Sequence, residues 1–74
     1  MKHIATLEAY ENKLGSFTGG IVNHQTKTRV QERFATFDEA RNYVRKFAWD
    51  TFGPGKFALV GGQSKSYRAN YWIA

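Results

Sequence analysis

The chain has no cysteine, one proline and only six acidic residues against eleven lysines and arginines in 74 residues. Without thiols there is no disulfide, no thiolate metal site and no cysteine nucleophile. That absence fits a cytosolic setting. No apolar run is long enough to cross a bilayer, no stretch reads as a signal peptide, and no membrane partner is expected. After Asp50 there is no acidic residue, while Lys56, Lys65 and Arg68 follow, so the C-terminal hairpin is purely basic. The imbalance leaves a net charge of +5 and a pI near 9.8. Such a domain is drawn to nucleic acid, to acidic proteins or to anionic membrane. The charge is spread along strands and helix rather than gathered in a block, as on a contoured surface rather than a tail.

Catalytic groupings are also missing. There are two histidines, His3 near one end and His24 beside a hairpin tip. A metal site would have to recruit Glu8, Glu11 or Glu32, and no metal or other cofactor is expected. No serine sits in a strand-turn-helix elbow, and six carboxylates in so small a domain leave little scope for a paired acid-base cleft. Gly61-Gly62-Gln63-Ser64-Lys65 has the composition of a phosphate loop, but a strand follows it instead of a helix N-terminus, so it reads as a hairpin turn. An enzyme is not expected.

What is present starts with a helix. Seventy-four residues, 42% hydrophobic and 16% aromatic, argue for one folded domain, 1–74, with a modest core. Thr36 to Pro54 carries its own boundaries. Thr36 is a good N-cap, and Glu39 can reach back to the Thr36 N–H in a capping box. Asp38 and Glu39 suit the positive end of the helix dipole. Gly53 can take a left-handed conformation, and Pro54 stops continuation. Phe37, Ala40, Val44, Phe47, Ala48 and Thr51 form an apolar stripe at spacings of three and four, flanked by Tyr43 and Phe52. Trp49 falls on the polar side near Arg41 and Arg45. Either it folds over the sheet edge and closes the core, or it is an exposed aromatic beside guanidinium groups, suited to base stacking or a binding hot spot.

The remainder reads as strands and turns. His3 to Glu11 is a first strand with an imperfect alternation. Asn12-Lys13-Leu14-Gly15 is turn chemistry. Ser16 to His24 is a second strand, in which Gly19-Gly20 suggests a bulge or a close approach by another backbone or ligand, the bulge being preferred. Gln25-Thr26-Lys27-Thr28 is a hairpin tip. Arg29 to Ala35 is a third strand, with Val30 and Phe34 on one side. Lys56 to Val60 and Ser66 to Ile73 are the fourth and fifth. The fold class is α+β, in the order β-β-β-α-β-β, with one helix on one face of an antiparallel sheet. The helix stripe with Phe34, Phe57, Leu59, Tyr71 and Ile73 should supply the core.

Two polar rows carry the functional signal. Arg29, Gln31 and Arg33 line one side of the third strand. Arg68, Asn70 and Trp72 line one side of the fifth. Arginine offers bidentate contacts to phosphate or guanine. Asparagine and glutamine pair with adenine edges, and tryptophan stacks on bases. The plainer account is an ordinary solvent face, with edge arginines blocking aggregation. Arg41, Arg45 and Trp49 make a second patch, and Lys65 adds charge at the last hairpin.

The run Arg33-Phe34-Ala35-Thr36-Phe37-Asp38-Glu39-Ala40, followed by Tyr43, Ala48 and Phe52-Gly53, resembles the three-strand-plus-helix DNA-binding domain of plant ethylene-response factors. It is similar also to the arm-binding domain of phage-type integrases. In both families the third strand leads into the helix, and the sheet docks in the major groove. The resemblance spans roughly residues 15–60. The basic, tryptophan-bearing strands of the plant family are replaced here by Gly19, Gly20, Ile21 and Val22. It therefore implies base-reading roles only for Arg29, Gln31 and Arg33. In size and layout the chain is similar to phage-encoded inhibitors such as anti-CRISPR proteins. That likeness implies binding to a host nucleoprotein machine through acidic protein patches, guide or target strand. The leading expectation is a non-catalytic domain that binds nucleic acid or an acidic surface of a nucleoprotein complex. An inhibitor acting by protein-protein binding is the alternative, and a homodimer joined at sheet edges is a third class.

Overall fold

A computed structural model describes residues 1–63 and 65–74. The elements are β1 (Lys2–Glu11), β2 (Phe17–Asn23), β3 (Thr28–Phe34), α1 (Phe37–Phe52), β4 (Lys56–Gln63) and β5 (Ser66–Ile73). The strands form one antiparallel sheet in the spatial order β3-β2-β1-β5-β4. With α1 on one face, this is the α+β architecture expected from the sequence. β1 is central, as its composition requires, because Ile4, Ala5, Leu7 and Ala9 are all buried. The chain meanders outward from β1 to the β3 edge. α1 then carries it back across the sheet to the opposite edge, and β5 closes the gap beside β1. Sixteen helical residues span roughly 24 Å at 1.5 Å each. Four inter-strand steps need roughly 19 Å, so the helix is long enough for the crossing.

The helix ends follow their caps. The Thr36 hydroxyl accepts from the Glu39 N–H at 3.2 Å and donates to Glu39 Oε1 at 2.9 Å. The Glu39 carboxylate thus meets the threonine hydroxyl rather than the Thr36 N–H. At the other end the Gly53 N–H donates to the Trp49 carbonyl at 3.0 Å. Gly53 has φ 87° and ψ 175°. The positive φ needs glycine. The extended ψ, in place of a left-handed helical one, follows from Pro54, which pushes the residue before it out of helical conformations.

Ala40, Val44 and Ala48 are the buried face of α1. Val44 and Ala48 pack with Ile4, Ala5, Leu7, Ile21 and Tyr71, and Ala40 packs with Ala9 and Phe17. The contact depends on small residues. A Cβ at Gly19 would sit 2.9 Å from the Ala40 carbonyl oxygen and 3.1 Å from Tyr43 and Val44 side-chain atoms. The expected bulge at Gly19-Gly20 is absent, since β2 pairs without interruption from Phe17 to Asn23. Gly19 marks instead the close approach of a second backbone, that of α1. The register shifts lie elsewhere, between His3 and Ala5 in β1 and between Leu59 and Gly61 in β4. The first shift lets consecutive residues Ile4 and Ala5 both enter the core.

Four further expectations change. Thr51 is exposed, because the stripe turns away from the sheet in the last helical turn. Leu59 is 69% exposed rather than core, because the backbone of α1 packs on β1, β2, β3 and β5 and not on β4. Phe34, Phe47, Phe57 and Ile73 are only partly buried around the core. β4 runs on through Gly61 and Gly62 to Gln63, which pairs with Ser66, so the turn expected over Gly61–Lys65 is shorter. Ser64, part of that expected turn, lies outside the described residues.

Tyr71 is the largest fully buried side chain, and its hydroxyl donates to the Gly53 carbonyl. Burial pushes the Tyr71 phenol above the ordinary tyrosine value, and Tyr43 and Tyr67 shift the same way, mainly for the same reason.

Two stability outcomes follow from this packing. Gly19→Ala should cost about 1–3 kcal/mol by forcing α1 off the sheet, read as a fall in Tm of about 4–8 °C per kcal/mol. A Tm within error of the parent would contradict the close approach. The raised phenols stabilise fully below the unfolded value near pH 10, and that stability is lost as pH rises through the folded values. Tyr71→Phe should therefore cost about 1–2 kcal/mol at neutral pH, yet lose less than the parent between neutral pH and strong alkali, as measured by urea unfolding.

Candidate nucleic-acid interface

Strand alternation and register sort the side chains onto two faces. On the helix side, Val30, Ile21, Leu7, Ala69 and Leu59 fall in one row across the sheet. Among the described residues no element covers the other face. Its rows run Arg33, Thr18, Tyr10, Ser66, Gln63; then Gln31, Gly20, Glu8, Arg68, Gly61; then Arg29, Val22, Thr6, Asn70, Ala58. His3, Trp72 and Lys56 close it at one end. Six of the residues singled out in the sequence, Arg29, Gln31, Arg33, Arg68, Asn70 and Trp72, thus share one open face. The two rows stand three strands apart, roughly 14 Å at about 4.8 Å per step.

The face is not uniformly basic. Glu8 lies at its centre, with Oε1 3.6 Å from Arg68 Nε, so Arg68 is partly neutralised. Arg29 and Arg33, on the exposed edge strand, have no carboxylate within ion-pair distance among the described residues. Gln31 lies against the bare backbone of Gly20, its Cγ 3.5 Å from where a Cβ would stand. The buried Thr6 has its hydroxyl 2.7 Å from His24 Nε2, and it donates to Asn70 Oδ1 at 3.5 Å. The His3 ring stacks on Trp72 with centroids 5.0 Å apart, and it lies 4.8 Å from the His24 ring. A bond from the His24 N–H to the Ile4 carbonyl (2.9 Å) holds that turn beside β1. The two histidines, far apart in sequence, are therefore neighbours. Among the described residues no group of three or more metal-ligating side chains forms.

Arg41, Arg45 and Trp49 stand on the opposite side of the molecule. Trp49 is 47% exposed, which excludes the core-closing role. With Ala48 turned to the sheet, the next residue is rotated about 100° away from it. Arg41 pairs with Asp38 at 3.2 Å and lies 5.6 Å above the Phe37 ring. Arg45 lies 4.9 Å above the Phe57 ring. Both arginines pull the Tyr67 phenol down, against the larger upward push of burial. Lys65 joins neither group, since it pairs with Glu11 at 3.7 Å and ties the β4–β5 hairpin to β1.

Several members of the open face were not singled out in the sequence: Lys56, His3, Thr6 and Tyr10. Antiparallel pairing of the last two strands would have found Lys56 opposite Trp72. The three β1 residues carry no such signal, because nothing local says that β1 lies between β2 and β5. Charge favours this face over the helix. α1 holds three basic residues, Arg41, Arg45 and Lys46, and three acidic ones, Asp38, Glu39 and Asp50. The whole excess of +5 therefore lies on strands and turns. No helix among the described residues is long and apolar enough to cross a membrane.

The two tryptophans should report separately on these surfaces. With Trp72→Phe, the remaining Trp49 should emit at long wavelength and be readily quenched by acrylamide. With Trp49→Phe, the half-buried, His3-stacked Trp72 should emit further to the blue and be quenched less. Equal quenching in both variants would contradict this placement.

Compared with known proteins, the chain matches no family model, no curated protein and no solved structure, so its functional reading rests on the chemistry of these surfaces.

Proposed function

We propose that the chain is a non-catalytic domain that binds nucleic acid with the open face of its sheet. The observation that carries this is the gathering of Arg29, Gln31 and Arg33 with Arg68, Asn70 and Trp72 on the face that α1 leaves bare. Arg29 and Arg33 are four residues apart on β3, roughly 13 Å, so they reach separate phosphates. Their separation of roughly 14 Å from the β5 row is comparable to the ~12 Å width of a major groove. Gln31 and Asn70 supply amides for base edges, and Trp72 supplies an aromatic surface. The neutral α1 side lends no competing attraction.

The test is fluorescence anisotropy with labelled single- and double-stranded DNA and RNA over a range of salt. Binding should weaken steeply as salt rises. Replacing Arg29 and Arg33 together by alanine should lower affinity about tenfold or more and flatten the log-log salt slope by about 1.4 for single strands or 1.8 for duplex DNA. Arg45→Ala, on the far side, should change little. Absent or salt-independent binding to every nucleic acid would end this reading and direct the same basic face toward an acidic protein surface of a nucleoprotein complex.

A further inference from the structure

The two edges of the sheet differ in chemistry. β3 is guarded in the usual way, with Arg29, Glu32 and Arg33 along its length, and such charges discourage strand addition. β4 has one charged residue, Lys56, and its middle is Ala58, Leu59 and Val60. Among the described residues it pairs only with β5, so the backbone groups on its outer side have no strand partner there. Leu59 is 69% and Val60 56% exposed. Yet Leu59 stands in the same cross-strand row as Ala69 and Leu7, which are buried beneath α1. Between α1 and β4 lies an open groove of about 330 Å³ lined by Asn42, Arg45, Lys46, Trp49 and Phe57. Its lining contains no carboxylate. Lys46 is paired with Asp50 at 2.9 Å, whereas Arg45 has no ion-pair partner among the described residues and rests on Phe57.

We propose that β4 and this groove bind an extended segment of a partner protein, with apolar and acidic residues on one face, as a sixth strand of the sheet. Backbone pairing along Lys56–Leu59, before the register shift between Leu59 and Gly61, would supply affinity, and alternate side chains would supply specificity. Apolar residues of the segment cover Leu59 and the Trp49 edge, and a carboxylate meets Arg45. The charge of the groove selects against a second copy as occupant. β4 has no Asp or Glu to offer Arg45, and each copy carries +5. This surface lies on the opposite side of the sheet from the proposed nucleic-acid face and does not depend on it.

The probe is the labelled peptide Glu-Thr-Val-Thr-Val-Thr-Glu-Thr, which puts two glutamates and two valines on one face when extended. Its control has lysine for both glutamates. With the whole protein, the acidic peptide should bind and slow hydrogen exchange at β4 amides, while β3 amides are unchanged. The lysine peptide and the Arg45→Gln variant should each weaken binding about tenfold or more, the scale of one charge-assisted contact. Leu59→Thr should weaken it as well, and R29A/R33A should not. Thermal unfolding of each variant confirms that it is folded. Three results would overturn the proposal. One is no binding at millimolar peptide, or equal binding of both peptides. Another is β4 protection in the protein alone together with a doubled mass by sedimentation, which would make the occupant a second copy. The last is β4 protection by nucleic acid in place of peptide.

Discussion

The backbone of α1 comes within van der Waals contact of the sheet at Gly19, and most of the molecule's surface chemistry depends on that contact. Ala40, Ala48, Ala9 and Ala5 are small enough to permit it, and Gly19 leaves no side chain in the way of the Ala40 carbonyl. Close packing there seats the helix over β1 and β2. A sixteen-residue helix seated in that place covers the centre of a five-stranded sheet and leaves its far edge uncovered. Tyr71 fixes the other end of the crossing, since its buried ring fills the space under Phe52 and Phe57 while its hydroxyl holds the Gly53 carbonyl. The exposure of Leu59 and the groove beside Trp49 follow from that seating, as does the bareness of the opposite face.

The charges are divided by the same geometry. On α1 they cancel in sum, and four of the six are tied into short-range pairs, Arg41 with Asp38 and Lys46 with Asp50. Exposed pairs of this kind contribute little to stability, but they leave the helix electrostatically quiet. The strands carry the surplus. Within the open face, Glu8 takes up part of Arg68, so the freest guanidinium groups are those of Arg29 and Arg33 on the β3 edge. A surface of this kind attracts a polyanion at its rim and offers amides and an aromatic ring toward its far side. The β4 edge has the opposite character, apolar in its middle with Lys56 as its single charge, and Arg45 above it has no ion-pair partner among the described residues. The two surfaces proposed for binding thus differ in chemistry, one polar and basic, the other largely apolar.

Much of this was legible in the residues. Thr36, Glu39, Gly53 and Pro54 marked the helix, and alternation placed Arg29, Gln31 and Arg33 on one side of their strand and Arg68, Asn70 and Trp72 on one side of theirs. The pair Gly19-Gly20 announced something unusual, but a glycine that makes a bulge and a glycine that admits a helix look the same in one dimension. Leu59 was misplaced because its alternation is correct: it does share a face with the core residue Ala69. What removes it from the core is the reach of the helix.

Local chemistry therefore determined what the sequence alone could determine: the helix and its ends, the strands, the sidedness of each, the net charge and the lack of thiols. These depend on dihedral preferences, caps and periodicities within a few residues of one another. Only the tertiary structure decided the strand order, the placement of β1 with Glu8 between the two arginine rows, the meeting of His3 with His24, and the exposure of Trp49 and Leu59. Those depend on pairings between distant segments and on where small residues let the helix settle, and no local spacing encodes either.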